Sequence, residues 1–353
     1  MQMKILRLTT LLDFGGQERK YLSFTMHPEL LQHSYEFAAI GFGGNAEKIL
    51  RERGFEVHVL NRNFSIRNLS NLWKVYKLIK KIKPDLVHTA AAEANFFGIL
   101  AARLAGVKVI AEEIGIPNHS KIARRVFKLV YKFASKVICV SKSVKDFLVQ
   151  IGEIPEDKGV VIYNPVTYPP MYPETVKDQF TYVYVGRLEK VKNVDFLIKA
   201  FSRANLQDSK LVIVGDGRER NTLENLVVEL NLESNVEFIG FSSQPSEYVN
   251  NADVFVLPSL SEGFGIAAVE AMFAKKPVLC TSVGGIPEFV SHNSNGWLFN
   301  PTKLEELSSL LKSIHALSQE ELKHIGQEGY DTVIEKFTVE NYIKNLEEQY
   351  GKN

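Results

Sequence analysis

Residues 164–179 read NPVTYPPMYPETVKDQ, with prolines at 165, 169, 170 and 173. Proline removes a backbone donor and turns the residue before it away from helix, so this stretch reads as a linker. On its N-terminal side, short apolar, β-branched runs alternate with longer helical patterns. The strand candidates are MKILRLT, YEFAAIGF, EVHVL, DLVHTA, KVIAEE, KVICVS and GVVIYN. Between them lie stretches such as SNLWKVYKLIKKI, whose Leu72, Val75, Tyr76 and Ile79 recur at helical spacing. After the linker the same alternation restarts: TYVYVGRL, a helix over Val194–Ala204, KLVIVGDG, a helix from Arg218, NVEFIGF, DVFVLPS and KPVLCTS. Strand and helix in alternation predict a parallel sheet covered on both faces. At 353 residues the chain exceeds what one core usually supports. The expectation is therefore an α/β protein of two doubly wound domains, 1–167 and 168–338. Thr338 suits the N-cap of a last helix, 339–350, expected to pack back on the first domain.

Bulk properties narrow the function. Apolar residues make up 45% of the chain, as in soluble globular proteins. Lys+Arg 42 against Asp+Glu 41 gives a net charge of +1, with no global attraction to nucleic acid. Cys139 and Cys280 each end an apolar run and read as buried thiols of a cytosolic protein. The start, MQMKILRLTT, has no signal-peptide core, and the apolar stretch FFGILAARLAGVKVIA is broken by Arg103 and Lys108. A cytoplasmic protein is expected.

In open α/β sheets, ligands bind beyond the carboxyl ends of the strands. Two such domains face to face would line a central cleft with strand-end loops. Residues 261–272, SEGFGIAAVEAM, follow a strand end, and Glu262 and Glu270 bracket two glycines. Read as a helix beginning at Ser261 or Glu262, the segment puts Gly263, Phe264 and Gly265 in the first turn, where free amides suit phosphate. The two carboxylates would then stand roughly 12 Å apart, the span from a sugar across a diphosphate to a ribose. Solvated glutamates at the two ends of a helix fit the same residues.

VYVGRLEKVKN places Arg187 and Lys192 after a strand on the same sheet edge. Two fixed cations could clamp a diphosphate and stabilise charge on its departing oxygens; a solubilising basic turn is the plainer alternative. DFGGQER, after the opening strand, sets Gly15-Gly16 at a strand-to-helix turn with Glu18 in the first turn of the helix. GFGG at 41–44 lacks the spacing of a dinucleotide fingerprint and reads as a turn. GDG at 215–217 is too short to name a ligand by itself.

Together these segments resemble the retaining GT-B glycosyltransferases of family 4. The resemblance covers nearly the whole chain and is more specific in the second half. It is carried by Gly15-Gly16 with Glu18; GRL with Arg187 and Lys192; LVIVGDG; PS-x-x-EGFG-x-x-x-x-E through Glu270; and VGGIPE at 283–288. The resemblance implies a GT-B fold of two Rossmann-like domains, acceptor-binding first and nucleotide-sugar-binding second. It implies that Arg187 and Lys192 contact the donor diphosphate, Glu262 the transferred sugar and Glu270 the ribose. Phe264, Gly265 and Ile266 offer backbone amides, Gly215 joins the donor side, and the Gly15-Gly16 loop closes on the donor. It implies no cofactor and no metal, with the two cations in place of a divalent ion. The donor is a nucleoside diphosphate sugar, UDP-linked rather than GDP-linked by preference. The acceptor is a glycan or lipid-linked saccharide of cell-surface polysaccharide synthesis. One departure stands out: where many relatives carry a first-domain histidine, this chain has Glu113. Glu113 is the catalytic candidate there, Glu112 and His119 are alternates, and Glu18 and His119 are acceptor-side candidates. His88 reads as a satisfied strand residue. A nucleotide-sugar-binding protein without transfer, epimerase-like or a partner subunit, is the competing reading.

HSKIARRVFKLVYKFASK and SNLWKVYKLIKKIK are basic and amphipathic. Each fits an ordinary packed helix with a solvated Lys/Arg face. As a pair they also suit peripheral contact with an anionic membrane, at its inner face.

Overall fold

The computed structural model describes residues 2–13, 15–167, 170, 172 and 179–351. Pro169, Pro173 and the expected boundary residue Tyr168 lie outside the described residues. The chain divides into two compact units, Met1–Pro165 with Phe337–Asn353, and Val166–Lys336.

The first unit runs β1 (Lys4–Thr9), α1 (Gly16–Phe24), β2 (Ser34–Ala39), α2 (Asn45–Glu52), β3 (Glu56–Val59), α3 (Ser70–Ile82) and β4 (Leu86–Ala90). It continues through α4 (Ala92–Ala105), β5 (Lys108–Glu113), α5 (Lys121–Tyr131), β6 (Lys136–Cys139), α6 (Lys142–Gln150) and β7 (Gly159–Val161). All neighbouring strands pair in parallel, in the order β3-β2-β1-β4-β5-β6-β7. Parallel strands are covered on both faces, so they read as unbroken apolar runs. Ile5 through Thr9 are all buried, an uninterrupted buried run of that kind. Helix α4 packs between α3 and α5, while α1 packs against α2. Right-handed crossovers put these two sets on opposite faces of the sheet.

The second unit runs β8 (Phe180–Val185), α7 (Val194–Ala204), β9 (Ser209–Val214), α8 (Arg220–Glu229), β10 (Val236–Gly240), α9 (Pro245–Asn250) and β11 (Val254–Leu257). Then come α10 (Ile266–Phe273), β12 (Val278–Thr281), β13 (Trp297–Phe299), α11 (Leu304–His315) and α12 (Gln319–Ile334). Its sheet is ordered β10-β9-β8-β11-β12-β13. The helix expected from Arg218 begins at Arg220, and β13 was not legible in advance. Helix α12 is started by a capping box in which Ser318 Oγ accepts from Glu321 N–H and Glu321 Oε2 accepts from Ser318 N–H.

The chain then returns to the first unit as α13 (Val339–Gly351), with Thr338 Oγ1 accepting from Asn341 N–H at 3.3 Å. Val339, Tyr342, Ile343, Leu346 and Tyr350 complete the core formed with Ile5, Phe24 and Phe37. Beneath α13 lies a buried polar cluster. Arg7 Nη2 is 3.2 Å from Glu112 Oε2, Lys20 Nζ pairs with Glu112 Oε1, and Arg7 Nη1 donates to Tyr350 Oη at 3.0 Å. His88, expected to be a satisfied strand residue, is so at one nitrogen: it is fully buried with Nδ1 2.8 Å from Tyr350 Oη, while Nε2 lies 3.2 Å from Glu112 Oε2 without forming a hydrogen bond. Burial pushes its imidazole down to about 3, so the ring is neutral. Both cysteines are free and buried, in β6 and β12.

Candidate active site

In the second unit the strand order reverses between β8 and β11. That switch point is where an open α/β sheet leaves room for a ligand beyond its strand ends. After β8 the chain makes a short 3-10 turn, Lys190–Lys192, closed by Asn193 in the left-handed conformation. The Asn193 amide donates to the carbonyls of Pro258 (3.1 Å) and Pro301 (3.3 Å), and Leu260 N–H donates to Val191 O at 2.8 Å. These bonds tie the loop after β8 to the loop after β11. They bring Lys192 Nζ to 2.5 Å from Glu262 Oε1 across 70 residues of chain. Ser259 Oγ donates to the same carboxylate oxygen at 2.6 Å, and Thr281 Oγ1 fixes Ser259 through its carbonyl at 2.7 Å. The Lys192 and Glu262 side chains are 19% and 12% exposed, enclosed but reachable from solvent. Burial raises the Tyr184 hydroxyl and Cys280 thiol pKa values, and the negative field of Glu262 adds to both.

The segment after β11 corrects one expectation. Helix α10 begins at Ile266, so Glu262, Gly263 and Phe264 precede it rather than forming its first turn. Gly265 is the N-cap with φ 97°, a left-handed conformation that interrupts any earlier helix. The 12 Å separation along a helix axis therefore does not apply to Glu262 and Glu270. Glu262 is held by loop contacts, while Glu270 sits on α10, half-buried. Phe264 is buried with its ring 5.6 Å from Phe289, and Ile266 opens the helix. Gly284, with φ 55°, lies against this loop, and a β-carbon there would overlap the Glu262 carbonyl. The VGG of 283–285 thus braces the backbone that carries Glu262.

Arg187 is exposed, and its carbonyl accepts from Tyr184 Oη at 2.9 Å. Gly215, just past β9, donates through its N–H to Gly240 O at 2.8 Å. The GDG turn pairs with the GRL loop, Leu188 N–H to Asp216 O at 2.9 Å and Glu219 N–H to Leu188 O at 3.0 Å. So Lys192, Glu262 and Ser259 are in direct contact, and the loops carrying Arg187 and Gly215 are joined through backbone. Ser259 lies inside the PS-x-x-EGFG string, yet only its contact with Glu262 gives it a part in the site.

The first unit reverses its strand order between β1 and β4. After β1, Gly15 caps α1, and the Glu18 carboxylate folds back into the space a Gly15 β-carbon would need. GFGG, expected as a turn, is a bend at Gly41 followed by a bridge from Gly43 to Leu12, with Gly44 capping α2 and Asn45 N–H donating to Asp13 Oδ1 at 3.1 Å. Glu112 and Glu113 point to opposite faces of β5. Glu112 belongs to the core cluster: burial alone would raise its pKa, but Lys20, His88 and Arg7 hold it well below the usual carboxylate range. Glu113 is 4% exposed and accepts from Tyr131 Oη and, at 3.0 Å, from Asn95 Nδ2. Burial lifts its pKa to about 7, more than the Tyr131 hydrogen bond and His119 can offset. His119 stacks on Phe127, ring centroids 4.3 Å apart, with Nδ1 2.8 Å from Glu153 Oε1. Although its burial opposes charge, the bond to Glu153 raises the His119 pKa. Tyr131, Asn95 and Glu153, which hold these candidates, carry no sequence signal.

The elevated Glu113 pKa has a stability consequence. The folded chain binds this proton more tightly than an unfolded carboxylate of pKa 4.5 does. The contribution is fully present below pH 4.5 and is lost as pH rises through about 7. Glu113→Gln removes it, so the difference in Tm, variant minus wild type, should increase between pH 5 and pH 8. A difference that stays flat across thermal melts at those pH values contradicts the assignment.

Residues 173–332 match the family model described as glycosyl transferases group 1, and residues 15–168 match the one described as glycosyltransferase family 4. An uncharacterized glycosyltransferase of Methanocaldococcus jannaschii is 31% identical over 83% of this chain and 84% of its own. The Escherichia coli UDP-Gal:alpha-D-GlcNAc-diphosphoundecaprenol alpha-1,3-galactosyltransferase is 28% identical over 84% of this chain and 83% of its own. In fold, the chain is similar to Anabaena HepE, solved in complex with UDP and glucose, with a TM-score of 0.86 at 24% identity over 99% of both chains.

Proposed function

The chain belongs to the GT-B glycosyltransferases of family 4, and from that premise we propose that it is a retaining, metal-independent enzyme using a UDP-sugar. The acceptor in this reading is a lipid-linked saccharide, the chemistry named for the Escherichia coli relative. The UDP preference draws on that relative and on the UDP-bound HepE structure. Surface polysaccharide synthesis and peripheral contact with an anionic membrane follow from an acceptor of that kind. Among the described residues no helix is long and apolar enough to cross a membrane.

The observation that carries the reading is the Lys192–Glu262 pair at the switch point of the second sheet. A diphosphate bears more charge than one carboxylate and would draw Lys192 to itself, leaving Glu262 to accept from hydroxyls of the transferred sugar. Arg187 offers a second, planar cation from the same loop, and Glu270 suits the ribose. As the glycosidic bond breaks, negative charge grows on the leaving phosphate, and fixed cations there lower the barrier without a metal. The backbone amides of Phe264, Gly265 and Ile266, with the Gly215 turn, complete the donor side. In the first unit we keep Gly15, Gly16 and Glu113 toward donor and reaction, and Glu18 and His119 toward acceptor.

The test is release of UDP or GDP from a panel of sugar nucleotides, with and without undecaprenyl-diphosphate-linked saccharides, and the anomeric configuration of the product by NMR. Acceptor-dependent UDP release with retained configuration, unchanged by EDTA, is expected. Donor binding with no turnover under any acceptor, or turnover abolished by EDTA, contradicts the proposal.

A further inference from the structure

Helix α5 buries Phe127, Val130 and Tyr131 against the first unit. That packed face leaves a second apolar stripe unused. Ile122, Val126, Leu129 and, just past the helix, Phe133 are 77%, 37%, 57% and 41% exposed. At about 100° per residue these four fall within roughly 60° of arc. Lys121, Arg125, Lys128 and Lys132, all exposed, occupy the adjoining arc. Helix α4 extends the patch, with Leu104 58% exposed and the Arg103 guanidinium 5.9 Å from the Phe133 ring centroid.

The surrounding charge is one-sided. Residues 114–145 hold eight Lys/Arg and no Asp/Glu, and residues 64–84, containing α3, hold six and none. Those segments take 14 of the 42 basic residues and none of the 41 acidic ones, leaving the rest of the chain at −13. A solvated helix face has no need of exposed Ile, Leu and Phe in register. A bare apolar stripe beside a basic arc matches an anionic lipid surface, which offers headgroup charge and acyl chains together.

We propose that α5, with the end of α4, lies in the plane of an anionic phospholipid surface, its stripe at the depth of the upper acyl chains and its lysines at the headgroups. This deepens the membrane-contact part of the functional reading and rests on it for why a lipid surface is met. The surface itself is argued from α5 alone. Apolar area and headgroup charge combine in such in-plane helices, so binding needs both.

The test is co-sedimentation of the full chain with vesicles of phosphatidylcholine, with and without phosphatidylglycerol. Wild type should bind only the anionic vesicles, and less as salt rises. The pair Ile122→Asp and Leu129→Asp, and separately Lys128→Glu and Lys132→Glu, should each lower the partition coefficient at least about tenfold. These side chains are exposed, so Tm should be unchanged. Equal binding by variants and wild type, or equal binding to neutral vesicles, overturns the proposal. So does a wild-type dimer in solution that the Asp pair converts to monomer, since a second copy would then cover the stripe. UDP release with a water-soluble acceptor should be unaffected in all variants. Loss of vesicle binding with that activity intact localises the effect to docking, whereas wild-type vesicle binding without any transfer would fault the transferase reading instead.

Discussion

Lys192→Ala should reduce kcat by about 10²–10³-fold, with a fold that melts where wild type does. The magnitude is that of removing one preorganised charge from a developing oxyanion, roughly 3–4 kcal/mol. Lys192 is the cation whose position is most completely determined here: the left-handed Asn193 closes its turn, and Asn193 and Val191 anchor that turn to the segment after β11. Its side chain is partly exposed, so truncation leaves no core cavity, and Glu262 keeps its bond from Ser259 Oγ. If the lysine acts on the leaving group, kcat falls more than donor affinity changes. A variant with near wild-type turnover would remove Lys192 from the chemistry, whereas a change confined to KM would make it a ground-state contact only. Arg187, exposed on the same loop, should cost less when truncated.

Glu112→Ala should be the most damaging single change to stability, by about 3–5 kcal/mol. It strips the carboxylate from Arg7 and Lys20, both within 1% of complete burial. Burial already draws the Lys20 pKa down to about 8 with Glu112 present. Without it, two buried cations face each other with no carboxylate between them, and Arg7 keeps its bond to Tyr350 Oη. The transition of the first unit should drop by roughly 10–15 °C, read by calorimetry or by a tryptophan reporter. Replacing all three charges together, Arg7→Met, Lys20→Met and Glu112→Leu, should recover most of the loss, because it is the unpaired charge that is costly. If Glu112→Ala melts within a degree or two of wild type, the cluster contributes nothing.

The strands are legible because parallel strands buried on both faces are written as runs rich in aliphatic, β-branched and aromatic residues, as in FTYVYV and in KILRLT, where Arg7 is the charged exception inside the run. Helix α7 was legible from periodicity, and α13 from Thr338. Strand β13 was not: three residues, WLF, following Gly296 are too short for any pattern to register. The start of α10 is not legible because nothing in EGFGI distinguishes a glycine in a first turn from one that caps in a left-handed conformation. The candidate residues Arg187, Lys192, Glu262 and Glu270 stand out by the strings that hold them. Their mutual contact was not, since Lys192 meets Glu262 through loops 70 residues apart. The same holds for Arg7, Glu112 and Tyr350, whose partners lie 105 and 343 residues away. Side-chain spacing encodes periodic faces, and it carries no trace of which distant loops hydrogen bonds will join.

The return of the chain to its first unit has a consequence for synthesis. Residues 1–165 leave the ribosome without the segment that lids their sheet, and translation of the intervening residues at 5–20 per second takes on the order of ten to forty seconds. During that interval Arg7 and His88 lack the tyrosine that will join them, and Phe24 and Phe37 have no cover from Tyr342 or Leu346. The later half, self-contained from Val166 to Lys336, can mature while the earlier half waits. A stop codon a few dozen bases early would therefore spare the unit Val166–Lys336 and leave the first unit to chaperones.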